Sequence, residues 1–175
     1  SMRENSGHVD TSPFTSYNWH GKGNFASMLD VVVLGATEVD VNFNANVVTH
    51  SDGRMLHGIG GWQNCLFSKC TILPIPAFRD RIPIIVDEVT TLVGPGELID
   101  VIVTERGIAI NPLRKDLIKA TKNSGLPIRK IEEIKAEVDD LIGGAPEKPE
   151  LTDEVISVVK WVDGTVIDSI FKVKE

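Results

Sequence analysis

Apolar and polar residues change pattern sharply along this chain. Residues 1–28 are polar, interrupted by Gly7, Pro13, Gly21 and Gly23, and show no periodicity. They read as a lead-in segment, with a domain expected from 29 to 175. Leu29 opens a short apolar run, Leu29 to Leu34, rich in β-branched residues and stopped by Gly35. Such a run predicts a strand buried on both faces, as in a parallel sheet. The next stretch, VDVNFNANVV (39 to 48), alternates apolar with polar residues and predicts a half-buried strand. His50-Ser51-Asp52-Gly53 follows as a turn. Further strands are expected at CTILPI (70 to 75), IPIIVDEV (82 to 89) and LIDVIVTE (98 to 105). The runs at 31–34, 70–75, 82–86 and 98–103 are expected to share one sheet.

The period then lengthens to that of a helix. Asn111 as N-cap and Pro112 at the first position predict a helix over 113–124, closed by Gly125 ahead of Pro127. A second helix is predicted over 130–142, with Ile131, Ile134, Val138 and Leu141 on its apolar face and Gly143-Gly144 as its stop. The tail holds two β-rich runs joined at Asp163-Gly164, a hairpin signal. The fold class is α/β: a mixed or parallel sheet flanked by helices, with a C-terminal β-hairpin.

The chain has 175 residues, 42% hydrophobic and 25% charged, with a formal net charge of -7. That composition suits one globular domain. Binding to nucleic acid or an anionic membrane needs a basic field, which an acidic chain lacks. No apolar run approaches the ~20 residues that span a bilayer. Two cysteines, Cys65 and Cys70, do not make a disulfide framework, and a reducing cytoplasm is expected.

Four features carry candidate chemistry. In HGIGGWQN (57 to 64), Gly58, Gly60 and Gly61 permit close approach or positive φ. Such a loop can aim N–H groups at an oxyanion, or be only a tight turn. Glu38 lies just past the first strand, where ligand sites gather in open α/β sheets. Asn42, Asn44 and Asn46 fall on one strand face, able to bind a carboxylate or simply to face water. Arg79-Asp80-Arg81 occupies a loop where an arginine could grip a carboxylate bidentately. His8, His20, His50 and His57 lack metal-ligand spacing, and no metal site is expected. His57 alone adjoins the glycine loop.

The segments LDVVVLGATEVDVNFNANV, SDGRMLHGIGG, RIPIIVDEVTTLVGPGELIDVIVTERGIAINP and the ending VVKWVDGTVIDSIFKVKE resemble, in that order, the last part of the citrate lyase alpha subunit family. More distantly, LGATEVD, the GIGG loop and DVIVTERGI resemble the second half of other CoA-transferases. The resemblance implies a CoA-transferase-like, Rossmann-like domain that exchanges acetate for citrate on the thioester of an acyl carrier protein. It implies a citrate lyase complex in which a beta subunit then cleaves the citryl thioester. It also implies that this chain binds no cofactor of its own, because the CoA-derived group belongs to the carrier. Gly60 and Gly61 map onto a glycine pair that lies against the thioester. Glu38 is carried as a further catalytic candidate, and Asn44, Asn46, His57, Arg79 and Arg81 as substrate-binding ones.

Two departures qualify the mapping. Trp62-Gln63-Asn64 follows the glycines where related loops continue to an aspartate, and no Ser-Glu-Asn-Gly catalytic motif occurs. The family protein is much longer, so the chain is expected to be a fragment, the end of the second of two α/β halves. Two alternatives stay open: the alpha subunit of a malonate decarboxylase-type acyl transferase, and a non-catalytic domain that docks a carrier or sister subunit.

Overall fold

Residues 3–10, 12, 16, 25–144 and 147–174 are described by the computed structural model. The remainder of the expected lead-in segment lies outside them. In chain order the strands are β1 (Val32–Val33), β2 (Glu38–Asp40), β3 (Ala45–Asn46), β4 (Thr71–Pro74), β5 (Phe78–Arg79), β6 (Ile82–Pro83), β7 (Ile85–Val86), β8 (Val101–Thr104), β9 (Gly107–Ile110), β10 (Leu151–Lys160) and β11 (Val166–Val173). The helices are α1 (Trp62–Cys65), α2 (Lys115–Thr121) and α3 (Ile131–Ile142).

The main sheet has the order β1-β4-β8-β9, parallel across its first three strands and antiparallel at β9. A second sheet, β3-β2-β7, stands apart from it, as do the hairpins β5-β6 and β10-β11. The core that unites them contains Val39, Leu73, Ile85, Ile99, Ile102 and Ile134, all at 0% exposure.

Three of the predicted runs therefore share a sheet and the fourth does not. The run at 82–86 divides at Ile84. Ile82–Pro83 folds back on Phe78–Arg79 through Asp80, whose φ is 54, while Ile85–Val86 pairs in parallel with β2. Pro83 has no N–H to extend a central ladder, which favours this short, edge-like use. The half-buried strand expected over 39–48 is likewise two short antiparallel strands around a tight turn.

Helix α3 forms as the periodicity predicts. Ile131, Ile134, Val138 and Ile142 are buried, whereas Leu141 is 55% exposed and Ile142 takes the place expected for it. Glu132 and Glu133 sit in the first turn, where the helix dipole favours them. The α2 prediction was too long at both ends. Buried Asn111 does not cap the helix: its amide donates to the carbonyls of Gly96 and Ile99, both at 2.8 Å, and its Oδ1 accepts the Leu113 N–H. The chain turns once more before α2 starts.

No residue of α2 is buried, so its anchor is ionic. Arg114 reaches Asp100 at 2.7 Å and grips Asp116 through two bonds of 2.9 and 2.8 Å. Those bonds draw the Asp116 carboxyl down to about 2. A carboxyl whose folded-state value is depressed contributes stability above its unfolded value of about 4, and loses it as pH falls toward 2. Asp116→Asn should lower the melting temperature at pH 7 and flatten its decline between about pH 4 and 2. Melting curves across that range check this.

Candidate functional site

The strand pair β2–β3 places a carboxylate inside the protein. Glu38 is 2% exposed, and a buried charge persists only where donors replace its water. Three do so. Glu38 Oε2 accepts Asn46 Nδ2 at 3.0 Å and the Thr90 N–H at 2.8 Å, and Oε1 accepts the Thr90 hydroxyl at 3.1 Å. Asn46, at 0% exposure, uses the rest of its amide on the turn that follows. Its Nδ2 donates to Thr49 Oγ1 at 2.9 Å, and its Oδ1 accepts the N–H groups of Val48 and Thr49. The Thr49 and Thr91 hydroxyls lie 2.9 Å apart and close the network.

Asp40 ends β2. Its Oδ1 accepts the N–H groups of Asn42 and Asn44, and its Oδ2 accepts Asn44 Nδ2 at 3.0 Å. This capture turns the chain sharply enough to hold Phe43 at φ 67, an uncommon conformation for a bulky residue. Asn44 Oδ1 then accepts the Gly96 N–H. Only glycine fits there, because a Cβ would lie 2.0 Å from the Asn42 carbonyl oxygen. The three asparagines consequently do not share a face. Asn42 is exposed, Asn44 is clamped between Asp40 and Gly96, and Asn46 is enclosed.

Glu38 also lines a cleft of about 230 Å³ between β6–β7 and α3. Its floor is Ile82, Pro83, Ile85 and Val86. Five carboxylates (Glu38, Asp87, Glu88, Asp139 and Glu147) face two lysines, Lys135 and Lys148. Burial acts to lower the Lys135 ammonium, but its contacts with Asp139 at 2.8 Å and Asp87 at 3.1 Å outweigh burial and hold it above its ordinary value. A wall with this excess of negative charge disfavours a polyanion.

The glycine loop is built separately. The Trp62 indole donates to the Gly35 carbonyl at 2.9 Å and fixes the loop against the link between β1 and β2. Gly60 has φ 60, where a side chain is disfavoured. Gly61 has φ -90 and caps α1. Among the described residues, neither N–H finds an acceptor. Two successive free N–H groups make a small site of positive potential. His57 is exposed beside them, its Nδ1 2.9 Å from the Gly58 carbonyl oxygen.

The predicted residues thus fall into three places. Glu38 bonds Asn46 directly, with Asn44 on the same hairpin. Gly60, Gly61 and His57 form the loop. The arginines stand elsewhere: Arg79 is exposed on β5, and Arg81 donates to the Ile142 carbonyl at 3.0 Å, capping the C-terminus of α3. Neither lines the Glu38 cleft. Burial pushes both cysteine thiols up, with Asp100 adding to the effect at Cys70, which makes them weak nucleophiles. Among the described residues no group of three or more His, Cys, Asp or Glu is arranged for a metal ion, and no helix is long and apolar enough to cross a membrane.

Thr90, Thr91 and Trp62 were missed from sequence, since nothing in their spacing ties them to residues 27 to 52 positions away. Asp40 had a signal, because an aspartate followed by asparagines two and four positions on can cap its own turn. Glu38→Gln tests the network. One amide N–H₂ would meet the Thr90 or Asn46 donors, and urea unfolding should show a loss of about 1–3 kcal/mol. An unchanged stability contradicts the hydrogen-bond assignment.

Comparison with known proteins follows this geometry. Residues 1–173 match the family described as "Citrate lyase, alpha subunit (CitF)". The citrate lyase alpha chain of Escherichia coli (strain K12) is 40% identical over 176 residues, covering 100% of this chain and 34% of that protein. The Klebsiella pneumoniae alpha chain is 41% identical over 175 residues, covering 99% and 34%. A solved alpha subunit of citrate lyase from Streptococcus mutans, in complex with citrate, superposes with a TM-score of 0.95 at 37% identity, covering 99% of this chain and 34% of that one. The chain spans about a third of the length of the curated relatives it matches. On this agreement of sequence and fold along its whole length, the chain belongs to the citrate lyase alpha-subunit family.

Proposed function

We propose that this chain forms the C-terminal part of a citrate CoA-transferase: the alpha subunit of a cytoplasmic citrate lyase complex, exchanging acetate for citrate on an acyl carrier protein thioester. The observation that carries this reading is the 0.95 TM-score to an alpha subunit that holds citrate. In this reading residues 29–175 are the transferase domain and residues 1–28 its lead-in. The carrier brings the CoA-derived thioester, and the beta subunit cleaves the citryl carrier that results.

Acyl exchange at a thioester passes through a tetrahedral oxyanion, and the protein's task is to stabilise that charge. The free N–H groups of Gly60 and Gly61 support an oxyanion role. Glu38 remains the carboxylate candidate for acyl transfer, since Oε1 accepts one hydrogen bond and retains acceptor capacity. Asn46 and Asn44 contribute by holding the β2–β3 frame. Among the substrate-binding candidates, exposed His57 beside the loop is better placed for a citrate carboxylate than Arg81, which is engaged with α3. Arg79 is exposed and able to meet an acid approaching β5.

Gly61 allows a test, because among the described residues its N–H finds no acceptor and its φ of -90 is negative, as a proline ring requires. Gly61→Pro deletes the donor, and Gly61→Ala retains it. In the alpha subunit carrying this segment, transfer of labelled citrate onto acetylated carrier should fall on the order of 100-fold or more in kcat for Gly61→Pro. Gly61→Ala should stay near wild type. Wild-type turnover in a folded Gly61→Pro variant, or equal losses in both, would end the oxyanion assignment.

A further inference from the structure

The segment from Leu113 to Lys130 carries a charge opposite to that of the rest of the chain. It sets Arg114, Lys115, Lys119, Lys122, Arg129 and Lys130 against Asp116 alone. Six cations against one carboxylate give +5, and with the whole chain at -7 the remainder carries -12. The two arginines are spent inside the fold, Arg114 on Asp100 and Asp116 and Arg129 on Glu137. The lysines are not. Elsewhere Lys69, Lys135, Lys172 and Lys174 each hold a carboxylate, whereas among the described residues Lys115, Lys119, Lys122 and Lys130 hold none.

At seven residues α2 is too short to hold itself in water, and it stands on the Arg114 ion pairs rather than on packing. Its apolar side chains are thereby left over. Leu113 is 66% exposed and Ile118 44%, and Leu126 and Ile128 are exposed where the chain leaves the helix. Beside them lies a groove of about 620 Å³, lined by Phe43, Ile110, Ile118 and Ile128. The groove's carboxylates, Glu132 and Glu133, belong to the first turn of α3, so the α2 side is left cationic. Helical spacing sets Lys115 and Lys122 on the face that carries Ile118, three residues before it and four after. A permanent cover of the same polypeptide would have to meet four ammonium groups or strand them. A partner that brings its own carboxylates meets them at the rim while its apolar side chains enter the groove.

We propose that the groove beside α2, with its rim of lysines, is the docking site for an amphipathic helix of a separate protein, apolar on one face and acidic along its flanks. The lysine stems extend the apolar floor, and their ammonium groups reach the partner's carboxylates. The local field draws such a helix in and repels a basic one, and salt weakens both effects. Helix-in-groove recognition asks for an anchor side chain at the centre, and Ile118 marks that place on the groove wall. The proposal concerns binding, not turnover, and stands independently of the transferase reading.

The probe is a fluorescent peptide about 18 residues long, enough to hold a helix, with leucine on one face and glutamate on the other. Its counterpart replaces every glutamate by lysine. Anisotropy titration of the chain, and of the alpha subunit that carries it, should show the glutamate peptide binding both, and the lysine peptide at least ~10-fold more weakly. Ile118→Asp, and separately Lys119→Glu with Lys122→Glu, should each weaken the glutamate peptide about 10-fold or more. α2 buries no residue, so the variants should melt as the parent does, and if Ile118→Asp unfolds the lysine pair decides. Equal binding of the two peptides, or binding indifferent to the substitutions, overturns the proposal. Binding to the chain but not to the alpha subunit makes the subunit itself the occupant and also overturns it. So does a DNA duplex that binds more tightly than the peptide and is lost in the lysine variant but not in Ile118→Asp, because the ligand would then be a phosphate backbone.

Discussion

Glu38 carries a carboxyl group almost entirely out of water, and among the described residues no lysine, arginine or histidine is bonded to it. Such a group is tolerated only where fixed donors stand in for solvent. Asn46 and Thr90 meet that requirement from two directions, and each must be held in place to do so. The Asn46 amide is therefore fixed by the 48–49 backbone, and the 90–91 segment is drawn against the β2–β3 hairpin through Thr90 and the Thr49–Thr91 contact. Leu92 continues the tie, donating its N–H to Asp168 of β11. The Thr90–Glu38 and Leu92–Asp168 bonds thus join the second sheet to the C-terminal hairpin. They also fix the strand that follows the anchorage of the glycine loop at Gly35.

Much of the fold was legible where the pattern depends only on local period and burial. The α3 stripe at Ile131, Ile134 and Val138 is one case, and the hairpin at Asp163-Gly164 is another. Reading failed where a side chain overrides the pattern. The alternation over 39–48 is real in sequence, but Asp40 captures the N–H groups of residues 42 and 44 and breaks the strand. Asn111 has the identity of a helix cap and is used instead to tie the 96–99 turn to β9. The double burial inferred for the first strand fails at Val33, which is 61% exposed.

The site was legible in parts and not as a whole. The glycine loop was found from composition, and among the described residues the N–H groups of Gly60 and Gly61 find no acceptor. The asparagines were found too, but as substrate contacts, whereas Asn44 and Asn46 spend their hydrogen bonds inside the protein. The Glu38 cleft sets five carboxylates against two lysines, an excess that disfavours a polyanion.

The central claim is that the Asn46 amide is the keystone of this frame, and Asn46→Asp probes it most directly. The substitution preserves shape, removes the donor to Glu38 and sets a second carboxylate against the first. Chemical unfolding at pH 7 should show a loss of about 3 kcal/mol or more. Like-charge repulsion raises the folded-state value of the acidic pair, so the penalty should shrink as pH falls toward 5 and one carboxyl becomes a donor. A variant within about 0.5 kcal/mol of the parent at pH 7, with no such pH dependence, would contradict the account.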